Sequence, residues 1–61
     1  MRRPRYLTLE TVAAVEGLTK KQLGELQRDH GLKVYDINGT LMVEEQELHA
    51  AIDRAKSEVR L

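Results

Sequence analysis

Apolar residues recur at helical spacing in three segments of the chain, and a fourth segment has the character of two short strands. The first helical segment follows Thr8, whose hydroxyl can cap the free backbone amides of a helix start. Val12, Ala13 and Val15 are its predicted core residues, and Gly17 ends it. The pattern therefore predicts a short helix of barely two and a half turns.

A second helix is indicated by the Thr19-to-Gln22 spacing of a capping box, in which each side chain bonds the other residue's backbone amide. Leu23 and Leu26 form its apolar stripe. Gly24 lies inside this helix, where glycine costs up to about 1 kcal/mol relative to alanine. We therefore expect another helix backbone or a ligand to approach closely at Gly24.

Two short runs of strand-forming residues follow, at 32–37 and 40–43, separated by Asn38-Gly39. Asn-Gly between such runs is the strongest short-range signal for a hairpin, because the tight turn needs positive φ at both central residues. The sequence therefore predicts a two-stranded hairpin.

The third helix is predicted from Glu44 onward, with acidic side chains in its first turn that suit the helix dipole. Its apolar stripe continues almost to residue 61, which is further than a small core requires. We therefore expect this stripe to dock a second copy of the chain, although fraying into solvent is the ordinary alternative. The self-association residues predicted from the stripe are Leu48, Ile52, Ala55 and Val59.

The composition limits the classes of protein that fit. A chain of 61 residues allows one small domain, which we divide into a flexible basic arm (1–5), a core (6–52) and a C-terminal helix extension (53–61). The chain has no cysteine, which excludes disulfides and thiolate metal sites. It also lacks any apolar run long enough for a membrane span or a signal peptide. We therefore expect a cytoplasmic protein with no membrane partner.

Ten basic and ten acidic residues balance, but they are unevenly distributed. Residues 1–33 carry seven basic and four acidic side chains, a net charge of +3. Residues 34–61 carry three basic and six acidic side chains, a net charge of −3. A basic front of this kind can bind a polyanion, while an ordinary mixed surface is equally compatible with the counts.

The order of these elements resembles a known family. Residues 6–13 resemble the "LTxEEVA" opening of the excisionase and MerR-like small winged-helix proteins, and residues 17–23 are similar to their "GVSRRTV" turn. Residues 37–39 and 43–48 stand where that family has its wing tip and its "IPREEL" segment. The resemblance implies an α+β, mostly α fold: a winged helix-turn-helix with two short helices, a two-stranded hairpin wing and a C-terminal helix. It also implies a non-enzymatic DNA-binding protein.

In that family the second helix enters the major groove and the wing contacts the minor groove or the backbone. Such a protein would act without a cofactor in phage or mobile-element recombination, transcription or packaging. Its partners would be double-stranded DNA and either further copies of itself or a larger protein such as a recombinase. The DNA-binding residues expected on this basis are Thr19, Lys20, Lys21, Gln22, Arg28, Lys33, Asn38, Thr40, Arg2, Arg3 and Arg5.

Several of these positions have ordinary alternatives. Lys20 and Lys21 can simply be solvated, and Gln22 can serve the capping box rather than read a base. The three N-terminal arginines can form a DNA-binding arm or a disordered tail. Tyr35 is more simply explained by packing of the hairpin on the helices than by contact with a base or a sugar.

Seven positions depart from the family in ways that remove phosphate affinity or add repulsion. They are Gly24, Glu25, Asp29, Asp36, Thr40, Met42 and Glu44. The alternative function is therefore a winged-helix module that docks on a larger protein through its acidic wing and C-terminal stripe. A small-terminase-like DNA-recognition domain is a variant of the first hypothesis. A more distant resemblance, to the small N-terminal domain of a bacterial translation initiation factor, fits the Asn-Gly hairpin less well.

No residue pattern indicates catalysis. No nucleophile stands beside a histidine, and the clustered carboxylates are explained by helix capping. His30 and His49 have no further ligand at helical spacing, so we expect no metal site. The sequence therefore predicts a binding protein rather than an enzyme.

Overall fold

Three helices and three short strands form one α+β arrangement in which about half of the residues are helical. The computed structural model describes residues 3–61, so the prediction for Arg2 lies outside the described residues. The elements in chain order are β1 (Tyr6–Thr8), α1 (Leu9–Glu16), α2 (Lys20–Asp29), β2 (Tyr35–Ile37), β3 (Thr40–Glu44) and α3 (Glu45–Ala55).

The sheet is antiparallel with β3 in the centre, in the order β1-β3-β2. The predicted hairpin is confirmed: Ile37 pairs with Thr40, and Asn38 and Gly39 form the turn with φ angles of 52° and 85°. Glycine adopts such a positive φ at no steric cost, and asparagine tolerates it better than most residues.

The sequence pattern does not predict strand β1; in this part of the chain it predicts only a helix that begins after Thr8. The middle residue of β1, Leu7, pairs with Val43 of β3, far away in the sequence. A strand of three residues is too short to show an alternating pattern of its own. The predicted two-stranded wing is therefore part of a three-stranded sheet.

The predicted helix caps are confirmed. Thr8 accepts a hydrogen bond from the Thr11 amide (3.1 Å) at the start of α1, and Gly17 ends that helix in the left-handed conformation. At α2, the Thr19 hydroxyl accepts from the Gln22 amide (3.1 Å) while the Gln22 carbonyl oxygen accepts from the Thr19 amide (2.9 Å). This capping box holds the first turn of α2 in a fixed geometry.

The core lies between the three helices and one face of the sheet. Its buried residues are Val12, Leu23, Leu26, Leu32, Val43, Leu48 and Ala51, with Leu7, Leu9, Leu18, Val34, Ile52 and Ala55 packed around them.

The prediction that Val15 belongs to this core is wrong. Val15 is 75% exposed, whereas Val12 is 1% exposed. The buried stripe of α1 passes through Leu9, Val12 and Ala13. Val15 is rotated off that stripe by the helical repeat.

The predicted C-terminal helix extension is wrong beyond Ala55. The helix ends there, and Lys56 already has extended backbone angles (φ −68°, ψ 142°). Residues 56–61 are all exposed, so no tertiary packing supports further helical turns. Helix α3 is therefore no longer than its contact with the core.

No other helix approaches Gly24 among the described residues, so this part of the prediction for Gly24 is wrong. Within the described range 3–61, no atom outside the local backbone lies within 4 Å of the position that a Cβ would occupy. Gly24 is exposed, and α2 packs through its opposite side.

The two valines of α1 offer a matched test of this core. Val12→Ala should destabilise the chain by about 2 kcal/mol, because it removes two buried methyl groups and leaves a cavity. For a chain of this size, that loss lowers the thermal midpoint by roughly 10 °C. Val15→Ala should leave the midpoint unchanged or slightly raised, because alanine is the better helix former. Equal losses in the two variants, measured by circular dichroism, would contradict the assigned helix face.

Candidate nucleic-acid interface

The exposed side of α2 is the centre of the candidate site. Leu23 and Leu26 are buried, so the residues opposite them on the helix face solvent. Lys21 and Arg28, which are two turns apart, lie on this outward side, and Lys20 flanks it at the first turn. The structure therefore brings two of the predicted cationic side chains to one helix face and places a third, Lys20, at its edge.

Positive charge on this face is reduced at its C-terminal end. The Arg28 guanidinium lies against Asp29, with Nε 3.2 Å from Oδ1 and Nη2 3.3 Å from Oδ2. This hydrogen bond raises the pKa of Arg28 and lowers the pKa of Asp29. Because both side chains are exposed, the pair adds little to stability, and its main effect is to offset one positive charge.

The first turn of α2 combines two lysines with the capping box. Gln22 uses its carbonyl oxygen for the cap, which confirms the capping interpretation. Its side-chain nitrogen is not needed for that bond. Thr19, Lys20, Lys21 and Gln22 are all exposed and lie together.

The C-terminal end of α2 is fixed by a long-range contact. Arg54 of α3 donates to the carbonyl oxygen of His30 from both Nε (2.8 Å) and Nη2 (2.5 Å). The Leu32 amide donates to the Leu26 carbonyl (3.1 Å) and closes the helix end. These bonds fix the direction in which the chain leaves α2, and they leave Lys33 exposed just beyond it.

Asn38 and Thr40 lie at the exposed hairpin tip. The Asp36 carboxylate accepts a hydrogen bond from the Gly39 amide (2.8 Å), which explains this acidic residue as a turn-stabilising group. The hairpin, residues 34–44, contains no lysine or arginine. The tip therefore offers an amide and a hydroxyl but no cation.

An apolar groove between α2 and the hairpin was missed by the sequence analysis. Lys20, Gln27 and Asp36 stand at its edges, and Gly24 forms part of its wall. Its apolar lining is Leu9, Ala13, Leu23, Val34 and Leu41. No local pattern predicts such a groove, because its walls come from α1, α2 and both strands of the hairpin.

Arg3 and Arg5 lie away from α2. The Arg5 carbonyl oxygen accepts a hydrogen bond from the Glu45 amide (2.8 Å). The Nε atom of Arg5 lies 3.9 Å from a carboxylate oxygen of Glu45. Arg3 lines the same cleft. Because Tyr6 pairs with Glu44, this cleft is at the end of the sheet opposite the hairpin tip. Arg5 is therefore anchored and does not belong to a free arm.

The predicted self-association residues do not form one exposed surface. Leu48 is fully buried, so it contributes to the monomer core and cannot contact a second copy. Ile52 and Ala55 are partly buried against that core. Val59 lies beyond α3 and is exposed. The continuous stripe predicted from these four residues is wrong, because the helix stops at Ala55.

Tyr35 packs the hairpin against α3, as the simpler interpretation predicted. Its hydroxyl donates to Glu47, 2.8 Å from Oε1, and its ring meets the Tyr6 ring edge to face with centroids 6.0 Å apart. The hydrogen bond to Glu47 is the main cause of a raised Tyr35 pKa, with desolvation adding to it.

The two histidines lie apart. His49 stands 3.9 Å from a Glu16 carboxylate oxygen. Within residues 3–61, no three His, Cys, Asp or Glu side chains are arranged to hold a metal ion. No helix in the same range combines the length and apolar character needed to cross a membrane.

Comparison with known proteins gives no match: no family model fits the chain, and no curated protein or solved structure is significantly similar to it.

Gln22 variants can separate capping from any other role of this side chain. Gln22→Ala should lower stability by roughly 0.5–1 kcal/mol, because one half of the capping box is lost. Gln22→Glu should restore that stability, since a carboxylate accepts the same hydrogen bond and suits the helix dipole. Chemical denaturation of both variants measures the effect, and a Gln22→Glu variant as unstable as Gln22→Ala would contradict the cap assignment.

The Tyr35 pair predicts a loss of stability in alkali. Because the pKa of Tyr35 is raised on folding, its contribution is complete below the ordinary tyrosine pKa of about 10 and is lost as pH rises through the raised value. Denaturation midpoints of the native chain should therefore fall more steeply above about pH 10 than those of Tyr35→Phe. Tyr6→Phe is the control that retains this term. Parallel losses in the native chain and Tyr35→Phe would exclude the hydrogen bond as the cause.

Proposed function

We propose that this chain is a winged helix-turn-helix DNA-binding protein, similar to the excisionase and MerR-like proteins, with α2 as its recognition helix. The observation that supports this most directly is the exposed face of α2, which carries Lys20, Lys21 and Arg28 beside a hairpin. A helix of ten residues with this projecting face is of a size that the major groove accommodates.

The connection between α1 and α2 supports the same proposal. Gly17, Leu18 and Thr19 form a three-residue turn between the two helices, and the hairpin follows α2 directly. This is the element order of a helix-turn-helix followed by a wing. The capping box fixes the backbone of the first turn of α2, so this turn does not have to form on binding.

The affinity of a single copy should be modest. Lys20, Lys21, Arg28 and Lys33 are the cations on or next to α2, and Arg28 is partly neutralised by Asp29. With so few phosphate contacts, binding should weaken strongly as salt rises. Such a protein acts in recombination, transcription or packaging by assembling several copies, or by joining a larger protein, on DNA.

The alternative, a module docked on a protein through its hairpin and C-terminal stripe, has weaker support. Leu48 is buried, and the Asp36 carboxylate is used by the turn. Leu48 and Asp36 therefore each have a structural role within the monomer, and neither is evidence for a protein partner.

The decisive experiment compares two charge-reversed variants in binding to mixed labelled duplexes at several salt concentrations. Lys20→Glu with Lys21→Glu should weaken binding at least about tenfold at low salt and reduce the salt slope by about two. The control, Ser57→Glu with Arg60→Glu and Leu61→Glu, makes the same change in net charge in the exposed residues after α3 and should bind like the native chain.

Thermal midpoints of these variants show whether folding is affected. Glutamate in the first turn of α2 suits the helix dipole, so the midpoint of the test variant should not fall. Equal binding by the test variant and the native chain would refute the recognition-helix assignment. Equal weakening in both variants would mean that only net charge matters.

A further inference from the structure

Apart from Thr40 at the hairpin tip, the outer face of the sheet is a second surface that the proposed DNA-binding function does not use. Leu7 and Val43 pair with each other and point into the core, so their neighbours along each strand point to the other side. The outer face is formed by Tyr6, Thr8, Tyr35, Ile37, Thr40, Met42 and Glu44. It lies across the core from α2, whose buried Leu23 and Leu26 share that core with Val43.

This outer face has an apolar centre that remains partly open to solvent. Tyr6 is 46% exposed and Ile37 is 37% exposed, with Tyr35 and Met42 half-buried between them. The two tyrosine rings meet over β3 at 85°, and Glu47 fixes the Tyr35 hydroxyl. The rings are therefore held in place before any partner arrives, which lowers the entropic cost of binding.

One end of the outer face is acidic. The Glu44 carboxylate accepts from the Glu47 amide (2.8 Å), and the Glu47 carboxylate accepts from Tyr35, so both are fixed beside the aromatic pair. Among the described residues, neither carboxylate forms an ion pair, whereas Glu45 is near Arg5. The outer face itself carries no lysine or arginine.

We propose that the outer face docks a segment of a protein partner that carries apolar side chains together with lysine or arginine. The apolar side chains would cover Tyr6, Met42 and Ile37. The cations would meet Glu44 and Glu47, and a cation over the exposed Tyr6 ring gains a further electrostatic attraction.

Charge decides between this partner and a nucleic acid. Exposed aromatic rings on a sheet can stack with the bases of a single strand, but such sites also need cations that follow the phosphates. Here the cleft beside the Tyr6 ring holds the carboxylates of Glu44, Glu45 and Glu47 against the guanidinium groups of Arg3 and Arg5. Acidic groups outnumber basic ones in this lining, which disfavours a phosphate backbone. The surface therefore fits a basic protein segment.

The test titrates the isotope-labelled full chain with two synthetic peptides and follows backbone amide shifts by NMR. Both peptides alternate leucine with a charged residue, which is lysine in one and glutamate in the other. The lysine peptide should shift amides of residues 6–8, 35–37 and 40–44, while the glutamate peptide should shift none of them.

Three variants separate apolar docking from simple charge attraction. Tyr6→Ser with Met42→Ser keeps every charge and should weaken binding of the lysine peptide about tenfold or more. Glu47→Gln still accepts the Tyr35 hydrogen bond, so it should fold normally and bind several-fold more weakly. Glu58→Gln removes the same charge from the exposed residues after α3 and should bind like the native chain.

Several results would overturn the proposal. These are shifts that map to α2 or to residues 56–61, full affinity in Tyr6→Ser with Met42→Ser, and preference for the glutamate peptide. Shifts of the outer face that grow with protein concentration in the absence of peptide would assign the surface to a second copy instead. Titration with duplex DNA should shift amides of α2 and of the hairpin tip, residues 38–40, and spare residues 6–8, which keeps this outcome separate from that of the DNA-binding proposal.

Discussion

The fold depends on the position of β3 at the centre of the sheet. Val43 of β3 is fully buried and pairs with Leu7 of β1. On its other side, β3 pairs with β2. The same strand leads directly into α3 through Glu44, whose carboxylate caps the helix and places Leu48 against the core. With only seven buried side chains in the described chain, this one strand connects the sheet, the hairpin and the last helix.

Structural features that depend only on residues close together in the chain could be predicted from the sequence. The Thr19–Gln22 capping box, the Asn38-Gly39 turn and the start of α1 after Thr8 each depend on side-chain chemistry within a few positions. These signals act through local geometry, so the rest of the fold does not change their meaning.

Features that depend on distant contacts could not be predicted in the same way. Strand β1 exists because Leu7 meets Val43, and helix α3 stops at Ala55 because no further core lies beside it. Val15 has the same chemistry as Val12 but lies outside the buried stripe of a short helix. The same distinction applies to the candidate site. The α2 cations could be predicted from helical spacing. The contact between Arg5 and Glu45 could not, because it depends on the pairing of β1 with β3.

The separation of charge in the sequence acquires a physical meaning in the fold. The lysines of α2 lie on one side of the core, and Glu44 and Glu47 lie beside the sheet on the other. Because the Debye length at physiological salt is about 8 Å, charges across such a core act almost independently. The zero net charge therefore conceals an uneven distribution: Lys20 and Lys21 lie at α2, whereas Glu44 and Glu47 lie beside the sheet in a cleft that Arg3 and Arg5 also line. On the two proposals made above, a phosphate backbone would bind at α2 and a protein segment at the sheet, so the two partners would not compete for one surface.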